Sequence, residues 1–406
     1  MTQRQMNRPI LEQAGHQTRD RILRALRVHG PQARVDLSSI VEMSAATVSG
    51  VTGDLVRAGV MRESLERDGA GETGRSRGRP KVIIELVPET AHVIAVKLSI
   101  NEIQVAVGDF AGNTARAENH TLDTRGLSAA EVVEVLGGAI ARCQSKMAIG
   151  YGPCLGIGIA VQGLVQDSDI IAWSPALGVR GVDIVQPLTQ RFGLPIHAAN
   201  DANCIALAIR NRPEFQTTDN MAVLMLGTGV GMGLIVGGKV YSGPTGAAAE
   251  FGHTKYQIDG PFCHCGRRGC IESFVGDYAL YRDARAMLDL PNTDALHPSE
   301  EQMQALCDLA ARGDRVALGL FEQAGRALGF GLTNLIALIS PSLILVSGSG
   351  VRAYEYLEPS MRQSLNDALV ETLLANTRIR PYPWNEDLAL RGIIAQVLDS
   401  VPFQQH

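Results

Sequence analysis

The chain lacks an apolar run long enough to cross a membrane. Its most hydrophobic stretch, LTNLIALISPSLILVSGSG at 332–350, is broken by Pro341 and by serines, well short of the roughly 20 apolar residues a spanning helix needs. No apolar segment follows a basic one at the start, and the expectation is a cytoplasmic protein with no membrane insertion. Cysteine is scarce, at seven in 406 residues. Four of these, Cys143, Cys154, Cys204 and Cys307, are scattered as small apolar core groups would be. Charge of one sign is also nearly lacking in the total, which is only −5, but that balance hides an asymmetry. Residues 1–81 hold 14 Lys/Arg against 9 Asp/Glu, while the remainder holds 23 against 33. A basic head on an acidic body suggests that the head alone meets a polyanion, although a solvated charged terminus would read the same. With 45% hydrophobic residues and this length, there is ample material for a buried core and two or three domains.

What cysteine there is concentrates in EFGHTKYQIDGPFCHCGRRGCIES, residues 250–273. His253, Cys263, Cys265 and Cys270 follow one another as His-x9-Cys-x-Cys-x4-Cys with glycines between. Three thiols and an imidazole on a turn-rich loop suit closed tetrahedral coordination of a structural zinc ion. A Cys-x-Cys pair is too short to close an unstrained disulfide on itself. A redox cluster is the competing reading, and His264 is the spare candidate ligand.

Toward the N-terminus, HQTRDRILRALRVHG, RVDLSSIVEM and SAATVSGVTGDLVRAGVM read as three helices over 16–62. Ile22, Leu23 and Leu26 recur at helical spacing in the first, and Val48, Val51 and Leu55 in the third, which Ser44 can cap. The pattern is that of a helix-turn-helix with the third helix in the recognition role; a generic three-helix bundle would look similar. Just downstream, GETGRSRGRPKV alternates Arg75, Arg77, Arg79 and Lys81 with small residues, as suits arginines entering a narrow minor groove. The third helix offers Ser44, Ala45, Ala46, Thr47 and Ser49 to solvent, with no Arg or Lys before Arg57. Such a face permits close approach and methyl contacts but not the bidentate guanine contact, so affinity for DNA would rest on phosphates and fall steeply with salt.

From Lys81 onward, β-rich runs such as VIIELV, HVIAVKLSINEIQVAVGDF and PCLGIGIAVQGLV alternate with helical segments, an α/β texture with two lobes and a cleft between them. LGTGVGMGLIVGGKVYSGPTGAAAEFGH, residues 226–253, sets Gly227, Gly229, Gly231 and Gly233 between two strands, where bare amides could cradle a phosphate. Together with ANDAN at 199–203, the cysteine cluster and the late GRALGFGLTNLIALISPSLILVSGSG, this stretch resembles the ROK family (repressors, open reading frames and sugar kinases) over nearly the whole chain.

The resemblance implies an N-terminal winged helix-turn-helix followed by an actin-like, hexokinase-like α/β body of two lobes. On that reading, residues 1–82 form the DNA-binding head with its basic wing or linker. Residues 83–198 and 382–406 form the first lobe, and 199–381 the second lobe with the zinc loop and a dimerisation surface. The resemblance assigns the metal to His253, Cys263, Cys265 and Cys270. It gives the sugar to Asn200, Asp201, Glu250, His253 and Glu272, whose carboxylates and amide suit paired hydroxyls.

Departures from the kinase members bear on activity. In VKLSINEI, residues 96–103, Lys97 stands for the acid of the first phosphate loop, Ser99 and Ile100 for its glycines, and Asn101 and Glu102 follow where a basic residue is common. A side chain at Ile100 and a carboxylate at Glu102 oppose a bound triphosphate, so no catalytic residue is assigned, Asp201 being only the position of the kinase base. In WSPALGVRGVDI, Ala176 stands where kinases carry a sugar-loop Asn. The leading expectation is a repressor that binds operator DNA as a homodimer or a tetramer, under control of a sugar or sugar derivative. An ATP-dependent sugar kinase, and a regulator governed by a protein partner, are the competitors.

Overall fold

Ser44 begins the recognition-like helix as the sequence suggests: its Oγ accepts the Thr47 amide at 3.1 Å, satisfying one of the helix's free N–H groups. A computed structural model describes residues 17–65, 81–288, 290 and 297–401. In the N-terminal unit, helix α1 covers 17–29, followed by strand β1 (Gln32–Ala33) and helices α2 (Arg34–Ile40) and α3 (Ala45–Arg57). Helix α3 is shorter than the expected 44–61. Gly59, at φ +74°, turns the chain out of the helix, and the Gly59 and Val60 amides donate back to the Val56 and Leu55 carbonyls, a glycine-terminated helix end. Met61 then starts the next strand.

Strands β2 (Met61–Leu65) and β3 (Val82–Leu86) pair antiparallel, and β3 also pairs with β1, giving the order β1-β3-β2. The run VIIEL, expected to open the α/β body, therefore closes the N-terminal sheet instead. Half-buried alternation looks the same in either sheet, and only pairing decides. Arg75, Arg77 and Arg79 lie outside the described residues; Lys81 sits 3.4 Å from Asp36 of α2.

The body has two five-stranded sheets of one topology. The first contains β4 (His92–Ser99), β5 (Glu102–Asp109), β6 (Thr114–Thr121) and β7 (Cys154–Val161), a small side sheet of β8 (Leu164–Gln166), β9 (Ile170–Trp173) and β10 (Val182–Asp183) follows, and β11 (Ile196–Asn200) completes the order β11-β7-β4-β5-β6. Strand β4 is buried along nearly its whole length, whereas β6, at the edge, is polar and largely exposed. Helix α4 (Ala129–Arg142), opened by a Ser128/Glu131 capping box, and α5 (Val185–Phe192) flank this sheet.

After α6 (Asp201–Arg210) come β12 (Met221–Leu226), β13 (Val230–Val236) and β14 (Lys239–Val240), then helices α7 (Glu272–Val275), α8 (Asp277–Met287), α9 (Glu300–Ala311) and α10 (Arg315–Ile339), and strand β15 (Leu343–Ser347). Helices α11 (Tyr354–Ala368) and α12 (Glu371–Ala375) lead to β16 (Arg378–Pro381), and α13 (Leu388–Ser400) ends the described fold. The second sheet runs β14-β13-β12-β15-β16. In each sheet three parallel strands carry two antiparallel ones on one side. Helices α6 and α13 pack on each other between the sheets, α6 against β13 and α13 against β7 and β4. Among the described residues no helix is long and apolar enough to cross a membrane.

Candidate ligand cleft and metal cluster

Strand β11 ends and α6 begins at Asn200, which makes that junction the floor of the cleft between the sheets. Asn200 caps α6, its Oδ1 accepting the Asn203 amide at 3.1 Å, while its Nδ2 donates to the Gly163 carbonyl at 2.7 Å. The side chain is thereby fixed across two elements, with one N–H still available. Asp201 follows on the first turn, accepting the Ala202 amide at 2.9 Å. Burial pushes its carboxyl up to about 6, opposed by the Lys97 ammonium.

The cavity above them is about 280 Å³ and is lined by both lobes. Lys97 is its one Lys or Arg among the described residues, in a lining that also holds the carboxyls of Glu102, Asp201, Glu250 and Glu272. Burial, then the Asp201 and Glu272 carboxylates, pushes Glu250 up to about 7. The sequence-assigned sugar residues Asn200, Asp201, Glu250, His253 and Glu272 all line this one cavity. Glu272, buried at the start of α7, accepts the Val230 amide at 3.1 Å and the Cys263 thiol at 3.2 Å. Ala176 is fully buried, its amide on Ser174 Oγ and its carbonyl on Thr124 Oγ1, so it offers the cleft nothing.

Two residues that sequence reasoning missed are Trp173 and Trp384, which are the chain's only tryptophans and both line the cleft. No local signal marks them, because only the fold brings the two segments to one cavity; there each ring offers a large face with a polar N–H.

The glycine loop is a β12–β13 turn whose amides are partly committed: Gly227 donates to the Gly229 carbonyl and Val230 to Glu272. Gly233 answers to packing instead. A Cβ there would lie 2.3 Å from Ala206 Cβ and 2.4 Å from the Ala202 carbonyl, so its absence lets α6 close onto β13. At the first loop, Ile100 and Asn101 form the β4–β5 turn, with Asn101 at φ +57° and Ser99 paired to Glu102.

Beside Glu250 the chain gathers its sulfur. Ligand atoms of His253, Cys263, Cys265 and Cys270 lie within 4.8 Å of one another. Cys263 Sγ is 3.5 Å from His253 Nδ1, and Cys265 Sγ is 3.8 Å from Cys270 Sγ. Such edges are about those of a tetrahedron around an ion with bonds of about 2.0–2.3 Å. A short hairpin presents them, with bridges Lys255↔Cys270 and Phe262↔Arg268. Burial and the Glu272 carboxylate push the Cys263 thiol up, and a cation at the centre would reverse that; the donor set fits a divalent ion. His253 turns its other nitrogen to Glu250, at 3.8 Å, so it joins cluster and cleft. His264 stands apart, stacked on Tyr278 with centroids 3.7 Å apart.

In α3, Ser44, Ala45, Ala46, Thr47, Ser49 and Arg57 are all exposed, and Arg57 pairs with Asp54 one turn back.

Comparison with known proteins agrees along the chain's length. The chain is 24% identical over 385 residues to the xylose repressor of Caldicellulosiruptor bescii, covering 92% of this chain and 94% of that protein. It is 25% identical over 356 residues to the DNA-binding transcriptional dual regulator NagC of Escherichia coli strain K12, covering 87% and 86%. Among solved structures, a ROK family transcriptional regulator, a homolog of the E. coli MLC protein, superposes with TM-score 0.77 at 24% identity, covering 95% of this chain and 97% of that one. A ROK family glucokinase from Streptomyces griseus, solved with glucose and AMPPNP, gives TM-score 0.59 at 26% identity over 75% of this chain and 98% of that one. The latter shares the body alone, a two-lobed kinase-like fold. The model of the ROK family matches residues 93–399, and the chain belongs to that family.

Proposed function

We propose that this protein is a sugar-responsive transcriptional repressor acting on carbohydrate-related genes. The carrying observation is that one chain joins a three-helix, three-stranded unit with an exposed capped helix α3 to a cleft lined by Asn200, Asp201, Glu250, His253 and Glu272. The repressor names of the relatives support the same reading.

The N-terminal unit serves as a winged helix-turn-helix. Ser44, Ala45, Ala46, Thr47 and Ser49 approach the major groove, Arg57 meets phosphate, and Arg75, Arg77 and Arg79 of the wing segment reach backbone or minor groove. In the cleft, Asn200, Asp201, Glu250, His253 and Glu272 hold a sugar or sugar derivative, with Trp173 as an apolar wall. Zinc on His253, Cys263, Cys265 and Cys270 is structural, closing the hairpin and fixing the His253 ring so that its second nitrogen serves the ligand. The second lobe supplies the homodimer surface. A ligand acts by binding one lobe arrangement better than the other, changing the spacing of the two heads.

Phosphoryl transfer is disfavoured: Lys97 occupies the metal-binding acid's place, Glu102 repels phosphate, and transfer depends on positioning and charge stabilisation.

Footprinting on a bound genomic fragment tests this reading. Two protected half-sites related by two-fold symmetry, about 10 base pairs or a multiple apart, support it, and a single unsymmetrical site contradicts it.

A further inference from the structure

Arg27, on the face of α1 turned toward the body, is among the described residues the most deeply desolvated arginine contact between the two units. Its side chain is 11% exposed. Its Nε donates to the Phe110 carbonyl at 3.2 Å and its Nη1 to the Leu398 carbonyl at 3.1 Å, with Asp399 Oδ1 at 3.7 Å and the Phe110 ring centroid 5.0 Å away. One turn earlier, Arg24 Nε lies 3.3 Å from Asp399 Oδ2. The last turn of α13, where free carbonyls and the dipole favour a cation, is thus capped by α1.

The same helix touches the floor of the cleft by two routes. Gly392 meets α6 backbone to backbone: a Cβ there would sit 1.8 Å from the Cys204 carbonyl, one turn beyond Asn200. Ser400 Oγ lies 2.9 Å from His197 Nε2 on β11, three residues before Asn200. A second cavity of about 390 Å³, bordered by Arg24, Asp399 and Ser400, also reaches Asn200. Asn200 therefore stands between the ligand cleft and the space beside α1.

We propose that Arg27 is the coupling residue between the cleft and the N-terminal unit: it locks α1 to the end of α13, so that a shift of α6 at Asn200–Asp201 is delivered through α13 to α1. The geometry favours a relay over a mere fastening. Gly392 leaves no side chain to absorb a displacement of α6, and close-packed elements move together. Removing the arginine alone would leave the Phe110 and Leu398 carbonyls and Asp399 without their shared cation, which is costly even where a buried pair as a whole adds little net stability. The contact defines a single docked arrangement. The inference rests on the cleft and the N-terminal unit being the effector and DNA sites, but the contact itself is tested without either ligand.

The test is hydrogen exchange by mass spectrometry on the full-length protein and its Arg27→Met, Arg27→Lys and Asp399→Asn variants. In Arg27→Met, exchange in 17–29 should rise about tenfold and, with it, exchange in 202–206 at the start of α6 by about threefold or more. The Lys and Asn variants should show the same paired change, smaller. If Arg27→Met does not fold, the two milder variants decide. Loosening of 17–29 with 202–206 unchanged would make Arg27 a fastener only and overturn the proposal, as would unchanged protection of 17–29. Since no operator or sugar is used, a negative result here leaves the repressor reading to its own test.

Discussion

Trp173 meets the His253 imidazole edge-on, ring centroids 5.6 Å apart and planes at 73°. One indole thus stands against a residue shared by the metal cluster and the ligand cleft. The other indole, Trp384, lines the same cleft. Tryptophan emission should therefore report on this cavity alone. Titration with a bound sugar should shift or quench it, and Trp173→Phe should remove most of the change while Trp384→Phe leaves most of it.

The cluster should be a folding unit as well as a binding one. Cys265→Ser removes one of four donors, and metal assembly and folding are linked. Bound zinc per chain should fall, and stability with it, by about 3 kcal/mol or more. Elemental analysis paired with thermal unfolding checks this, and parent-like stability together with no zinc in the parent would contradict it.

Asp201 should impose a pH-dependent cost. Its carboxyl is raised from 3.8 to about 6, so the folded state holds the proton more tightly than the unfolded chain. Stability is then lost as pH rises from the unfolded value through the folded one. Asp201→Asn removes that loss while keeping an acceptor for the Ala202 amide. The variant should match the parent near pH 3 and exceed it by about 3 kcal/mol at pH 7. Denaturant unfolding at the two pH values checks it.

Kinase chemistry should be absent. A coupled ADP-release assay over hexoses and aminosugars should stay at the background of Asp201→Ala, because Lys97 and Glu102 line the cleft where a magnesium nucleotide would need a metal-binding acid and open backbone. Turnover that depends on Asp201 would contradict the repressor assignment.

The cluster was legible because its ligands are few, chemically distinctive and close in sequence. The polar residues of the cleft became legible only through the family motifs, since Asn200, Glu250 and Glu272 are common residue types until the fold brings them together. Four features were not legible, each for a physical reason. Trp173 and Trp384 come from segments 211 positions apart. Gly233 looked like part of a phosphate cradle but answers to the close approach of α6, and a glycine carries no mark of which backbone it admits. The sheet that β3 joins is set by its pairing with β1 and β2, a long-range property that its own alternation does not carry. Arg27 read as one arginine in a basic segment, although it is buried against α13.

The most direct test is selection and sequencing of genomic fragments by the purified full-length protein, with and without a sugar panel, beside a Thr47→Glu/Ser49→Glu variant whose charges repel phosphate at the exposed start of α3. The account predicts enrichment of two-fold symmetric sites beside carbohydrate genes, loss of that enrichment in the variant, and a change in it with one sugar of the panel. Enrichment no greater than the variant's, or indifferent to every sugar, would contradict it.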